Sequence, residues 1–157
     1  HEGPGPRYVV KGKLKVVAIT AVIFIAMVFI VKFTVDFLIP GNLPERVRAL
    51  MKFSNALNKR CPMTIDSETV LDNTMAGEGN QFIYNYSLVN KTKDQIENIN
   101  DLEKQIRDNI IKKFKNDENL AFFRKNEINI ICNYRDKNKE LFLKLDIKPD
   151  EYISNSK

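Results

Sequence analysis

From Val16 to Val31 every position is uncharged and nearly all are apolar, and the run resumes around Lys32 through Phe33, Thr34, Val35, Phe37, Leu38 and Ile39. A bilayer-spanning helix needs roughly 20 such residues at about 1.5 Å each. Lipid requires apolar side chains on every face, whereas a core helix needs them on one. The pattern therefore predicts a transmembrane helix over residues 16–39, preceded by a basic arm over 1–15 and followed by a domain over 40–157. No small-x-small cleavage site follows the run, so it reads as an uncut anchor. Lys11, Lys13 and Lys15 lie against the membrane, which places the arm in the cytoplasm under the positive-inside rule. Lys32 and Asp36, spaced i, i+4, share a face near the outer end, where the lysine snorkels to the interface. The predicted topology is single-pass, N-terminus in, with the domain outside the cytoplasm.

After Pro40 and Gly41 the periodicity changes. Pro44 suits the first turn of a helix, and Val47, Leu50, Met51, Ser54 and Leu57 recur at helical spacing, which predicts an amphipathic helix from Glu45 to about Lys59. Cys61-Pro62 stops it. Two strands are predicted next, Met63 to Leu71 and Gln81 to Val89, separated by a turn-rich Asp72 to Asn80 containing Gly77 and Gly79. In the second strand Phe82, Tyr84, Tyr86 and Leu88 form one aromatic face. Asn100 with Glu103 resembles a capping box, and Leu102, Ile106, Ile110 and Phe114 then fall every four residues on one stripe. A short apolar piece (Leu120, Phe122, Phe123) leads into a hairpin. Its first row is Ile128, Ile130, Cys132 and Tyr134, its turn is Asp136-Lys-Asn-Lys139, and its second row is Leu141, Leu143, Leu145 and Ile147. The expected fold is α+β, of order α-β-β-α-β-β after the anchor, with an antiparallel sheet and helices on one face.

Charge alters this picture little. The formal net charge is +5, but most of it sits on the N-terminal arm, where Arg7, Lys11, Lys13 and Lys15 face one acid. The folded part is close to neutral, which argues against nucleic-acid binding. On the long helix Lys104, Arg107, Lys112 and Lys115 form a polar side that is either solvated or a docking surface for an anionic partner. The two cysteines, Cys61 and Cys132, both follow the anchor, an even count that permits one disulfide in an oxidising compartment.

Catalytic patterns are missing from the sequence. The only histidine is His1, so a nucleophilic triad lacks its base. Two cysteines about 70 residues apart do not match paired zinc-ligand spacing. The six glycines form neither a phosphate loop nor a dinucleotide fingerprint. One acidic group remains, Asp66, Glu68 and Asp72 beside Thr69 and Gly77-Glu-Gly79, which a hydrolase or a calcium site could use. Two sequons, Asn85-Tyr-Ser87 and Asn90-Lys-Thr92, matter only in a eukaryotic secretory chain.

The stretch Asn58 to Asp72 contains Pro-Met-x-x-Asp-x-x-Thr-x-Leu-Asp, and a Tyr-x-Tyr strand follows before Asn90. It resembles a pattern of uncharacterised bacterial membrane-anchored envelope proteins. The resemblance implies bacterial origin and an exported domain, and no activity; with the predicted anchor it implies a bacterial inner membrane, with the domain periplasmic or extracellular. Taken together, the sequence predicts a non-enzymatic, cofactor-free protein that contacts the lipid bilayer through residues 16–39. Its exported domain binds another envelope protein, or its own copies, within a membrane assembly. The alternative is a membrane-anchored inhibitor or immunity protein directed at a toxin or an envelope enzyme.

Overall fold

The structure, a computed structural model, describes residues 44–153. Helix α1, Glu45–Asn58, follows Pro44 and buries Leu50, Ser54 and Leu57 along one side. A cis Cys61-Pro62 bond leads to a two-residue strand β1, Met63–Thr64. Strands β2, Thr69–Gly77, and β3, Gln81–Leu88, form the first long hairpin. A 3-10 turn, Lys93–Gln95, precedes the long helix α2, Ile99–Asn116. A second 3-10 turn, Glu118–Leu120, runs into the short helix α3, Ala121–Lys125. Strands β4, Asn129–Arg135, and β5, Leu141–Ile147, form the second hairpin, and α4, Pro149–Tyr152, follows it.

The expected first turn is displaced. The stretch Asp72 to Gly77, expected as loop, is strand, and the chain reverses earlier, between Ile65 and Glu68. Asp66 causes this: its Oδ1 accepts from the backbone N–H groups of Glu68 and Thr69, both at 2.7 Å, which closes a tight turn in the middle of the expected strand. The true β2–β3 turn is short, with Gly79 and Asn80 at φ 64° and 67°. Glycine reaches that left-handed region without steric cost and asparagine at little cost.

The fold class needs correcting on two further points. Among the described residues no helix is long and apolar enough to cross a membrane. The long helices α1 and α2 are amphipathic, with an apolar stripe and a charged side. The membrane-spanning helix is therefore not part of the described architecture. Residues 16–39 that predict it, with Lys32 and Asp36, lie outside the described residues, as do Lys11, Lys13 and Lys15. The sheet is also not wholly antiparallel. It has five strands in the order β1-β2-β3-β4-β5, and β3 and β4 pair in parallel. Parallel neighbours need a crossover, and residues 89–128, with α2 and α3, provide it.

One face of the sheet carries the core. Phe82, Ile130 and Ile147 stand in one cross-strand row, Tyr84, Cys132 and Leu145 in the next, and Tyr86, Tyr134 and Leu143 in a third. All nine are buried. Ile106, Ile110 and Phe114 of α2 and Leu50 and Leu57 of α1 join the same cluster. Phe123 of α3 lies edge-on to Phe53, Phe82 and Phe114, with ring centres 5.2–5.4 Å apart. Tyr84, Tyr86 and Tyr134 stack with nearly parallel rings. Leu141, expected in the core row, is 47 % exposed, because a register shift beside it breaks the alternation.

Polar side chains join α1 to the sheet. Asn58 Nδ2 donates to the Thr74 carbonyl (2.9 Å) while Asn58 Oδ1 accepts from the Thr74 N–H (2.7 Å). Ser54 Oγ also donates to that carbonyl, at 2.8 Å. The Asn58 amide thus pairs with Thr74 as a neighbouring strand would. Replacing Asn58 with Ala leaves the Thr74 N–H without its acceptor and removes one of two donors to its carbonyl. The expected loss is about 2 kcal/mol, in the range of an unsatisfied buried backbone group. Chemical denaturation of Asn58→Ala measures it, and a loss below about 0.5 kcal/mol would mean that water replaces the amide at no cost.

Candidate functional site

The acidic group that sequence singles out does not converge. Asp66, on the turn before β2, is buried and uses Oδ1 to hold that turn. Glu68 pairs with Lys91 Nζ at 2.8 Å. Asp72 accepts from Ser87 Oγ and lies 3.6 Å from Lys139 Nζ. Each carboxylate is engaged by different neighbours, backbone N–H groups for Asp66 and side chains for Glu68 and Asp72, and among the described residues no group of three acids, histidines or cysteines could hold a metal ion.

The basic side of α2 divides. Lys104, Lys112 and Lys115 are exposed. Arg107 instead bonds within the fold: its Nη1 lies 2.8 Å from Glu151 Oε2 and donates to the Asp146 carbonyl at 3.3 Å. It fastens α4 and the end of β5 to α2.

Cys61 and Cys132 are free thiols, which corrects the expected disulfide. Cys132 lies on β4, fully buried against Tyr84 and Leu145. Cys61 lies just before β1, at the far edge, three strand spacings away. At about 4.8 Å per strand that is roughly 14 Å, beyond the reach of a disulfide. Burial pushes the Cys132 thiol up to about 12. Cys61 is raised by partial burial, then by the Asp72 charge.

The sheet face opposite the core carries a polar network that the sequence reading did not assemble. Asn73, Asn85 and Asn133 stand opposite one another on β2, β3 and β4. Asn85 Nδ2 donates to Asn73 Oδ1 (2.8 Å), and Asn133 Nδ2 donates to Asn85 Oδ1 (2.9 Å). Asn85 is thereby buried and committed, so the first sequon is not an open glycan acceptor. Beside the ladder, Ser87 Oγ donates to Asp72 and accepts from Lys139 Nζ at 3.0 Å. A serine between a carboxylate and a lysine resembles an activated nucleophile. Here the lysine donates to the serine oxygen, and Ser87 is 4 % exposed on a central strand. The trio therefore acts as a clip between β2, β3 and the β4–β5 loop. Alternation in β3 placed Asn85 and Ser87 on one side. Their partners are set by register, which the sequence does not show.

That loop is organised by Asp136. Its carboxylate accepts from the backbone N–H groups of Asn138, Glu140 and Lys93 at 2.8–2.9 Å. Burial pushes its pKa up, but the three backbone donors outweigh burial and hold the carboxyl below the usual carboxylate range.

Two outcomes follow. In native protein an alkylating reagent labels Cys61, increasingly as pH rises, and spares Cys132; both react after denaturation. Mass spectrometry reads this, and equal native labelling of both would contradict the buried position of Cys132. Because the folded pKa of Asp136 lies below its unfolded value, its contribution is full above about pH 4 and is lost as pH falls through the depressed folded value. Asp136→Asn should lower the melting temperature by several degrees at pH 7 and flatten its dependence between about pH 5 and 2. A variant with the wild-type pH profile would show that the carboxylate charge is not used.

Solved structures with a similar fold include two bacterial proteins. The pilotin EpsS of the Vibrio vulnificus type 2 secretion system aligns with a TM-score of 0.53 at 10 % identity, covering 71 % of this chain and 98 % of that one. A Pseudomonas aeruginosa protein whose secretion is inferred aligns with a TM-score of 0.51 at 13 % identity, covering 70 % of this chain and 98 % of that one. At these identities the likeness is one of fold. No curated protein sequence matches the chain. The family described as a domain of unknown function, DUF8479, matches residues 45–143, and the chain belongs to it.

Proposed function

We propose that this chain is a non-catalytic component of a bacterial cell-envelope assembly, and that it works by binding another envelope protein. The observation that carries this reading is the fold shared with the pilotin EpsS over nearly all of that protein. The local chemistry is compatible with it. Asp66, Glu68 and Asp72 each serve a separate structural contact. Ser87 is buried in its clip, and Cys132 is buried in the core. Among the described residues, the surfaces left for binding are the exposed Lys104, Lys112 and Lys115 of α2 and the sheet edges.

Affinity isolation of the full chain from detergent-solubilised envelopes of the encoding organism tests the reading. The expected result is stoichiometric recovery of one envelope protein that stays bound at moderate salt. A chain that runs as an unaccompanied monomer under gentle conditions would overturn it.

A further inference from the structure

The sheet has two edges, and the structure treats them differently. The N–H and C=O of one strand residue point to the same side, and successive residues alternate. On β2, β1 covers only Val70 and Leu71. Beyond them the outward residue Thr74 has its N–H and carbonyl held by Asn58, with Ser54 on the same carbonyl. An incoming strand would have to displace all three bonds, so this edge is closed at its middle.

The far edge is β5, which among the described residues pairs only with β4. Asn129 N–H donates to the Asn80 carbonyl, on the β3 side, at 3.0 Å. Asn129, Ile131 and Asn133 therefore direct their backbone toward β3, while Ile130, Cys132 and Tyr134 direct theirs toward β5. Their β5 partners are Ile147, Leu145 and Leu143. It follows that Lys144 and Asp146 turn their backbone groups outward, away from the sheet. The Asp146 carbonyl confirms the direction, since it accepts from Arg107. Among the described residues, no partner is present on this edge for the N–H and C=O of Lys144 or for the N–H of Asp146.

The side chains around these groups have a definite character. Lys144 is exposed and stands opposite Asn133, not an acid. Asp146 is already matched by Lys148 at 2.8 Å. Leu141, earlier on the strand, is 47 % exposed. We propose that the outer edge of β5 around Lys144 is a strand-addition site for an extended segment of a partner protein in which acidic and apolar residues alternate. The segment bonds to the outward backbone of Lys144 and sets a carboxylate against its ammonium, with its apolar side continuing the row of Leu143 and Leu145. An edge lysine also commonly guards a sheet against unwanted pairing, and the test separates the two roles. This inference rests on the reading that the domain binds an envelope protein.

The probes are two synthetic peptides, acetyl-Val-Glu-Val-Glu-Val-Glu-Val-amide and its counterpart with Lys in place of Glu, added to the full chain. Amide hydrogen exchange is read at Lys144 and Asp146 by NMR. The glutamate peptide should slow exchange at both amides by at least tenfold near saturation, and the lysine peptide by less than twofold. Lys144→Glu should exchange the two preferences, and this surface substitution leaves the core intact. Protection by neither peptide, or by both equally, would overturn the proposal. So would protection that grows with protein concentration alone, since the occupant would then be a second copy. If Lys144→Glu still recovers the wild-type partner from envelopes in full yield, the edge proposal fails while the proposed function stands.

Discussion

The parallel pairing of β3 with β4 is the constraint on which the rest of the architecture depends. Two parallel neighbours cannot be joined by a turn, so the chain must leave the sheet after Leu88 and return to the same end before Asn129. The crossover passes over one face only, and it carries α2 and α3 with it. The register of that pair also aligns Phe82 with Ile130, Tyr84 with Cys132 and Tyr86 with Tyr134, which builds three continuous rows beneath the helices. With α1 packed on β2, the helices that join the core cover one side, and the other becomes a surface of short polar contacts. A four-strand antiparallel arrangement of the same hairpins would not need the crossover, and α2 would have no fixed place.

Polar groups then determine where this two-layer unit can meet anything else. Asn58, Ser54 and Thr74 form bonds that a pure packing interface would lack, and they fix the position of α1 along β2. On the opposite face Asn73, Asn85 and Asn133 satisfy one another across three strands. Amide groups presented in register in this way are consumed by their neighbours, so a row that looks available in sequence offers little to a ligand. Asp136, Asp72 and Glu68 are likewise committed to Lys93 N–H, Ser87 and Lys91. These polar groups are spent internally.

Much of the core could be read from the sequence because hydrophobic periodicity reports it directly. Ile106, Ile110 and Phe114 of the helix stripe, the row Ile128 to Tyr134, and Leu143, Leu145 and Ile147 of the second row are buried as their spacing predicts. The second half of β2 could not be read, because Asp72-Asn-Thr looks like a turn. Its strand state depends on Thr74 finding Asn58, sixteen residues earlier in the chain, and on Asp66 drawing the reversal upstream. The parallel pairing was hidden for a related reason. The pattern of β3 reads as half-buried, which fits an antiparallel edge, and only the length of the intervening segment hints at a crossover. The cysteines misled because an even count says nothing about distance; sheet order separates them. The helix expected over residues 16–39 falls outside the described residues, so the described fold corresponds to the part of the chain that the later periodicities predict.

The candidate site was the least readable part, and the reason is physical. A catalytic centre gathers residue types whose chemistry is recognisable from spacing. A binding surface is defined by what the fold leaves unsatisfied, which depends on every pairing made elsewhere. Lys144 is one of 25 lysines and arginines, and nothing in its neighbourhood Leu143-Lys-Leu145 distinguishes it. It acquires meaning only once Asn133 is known to stand opposite, Lys148 is known to hold Asp146, and Asn129 has fixed the direction of every backbone group on β4. Lys104, Lys112 and Lys115, by contrast, are conspicuous in sequence because they repeat on a helix. Yet Arg107, from the same set, proves to be an internal fastener of β5 and α4. Counting charges along an element ranks these groups wrongly, whereas subtracting the contacts made inside the fold leaves the groups that are free to recognise a partner.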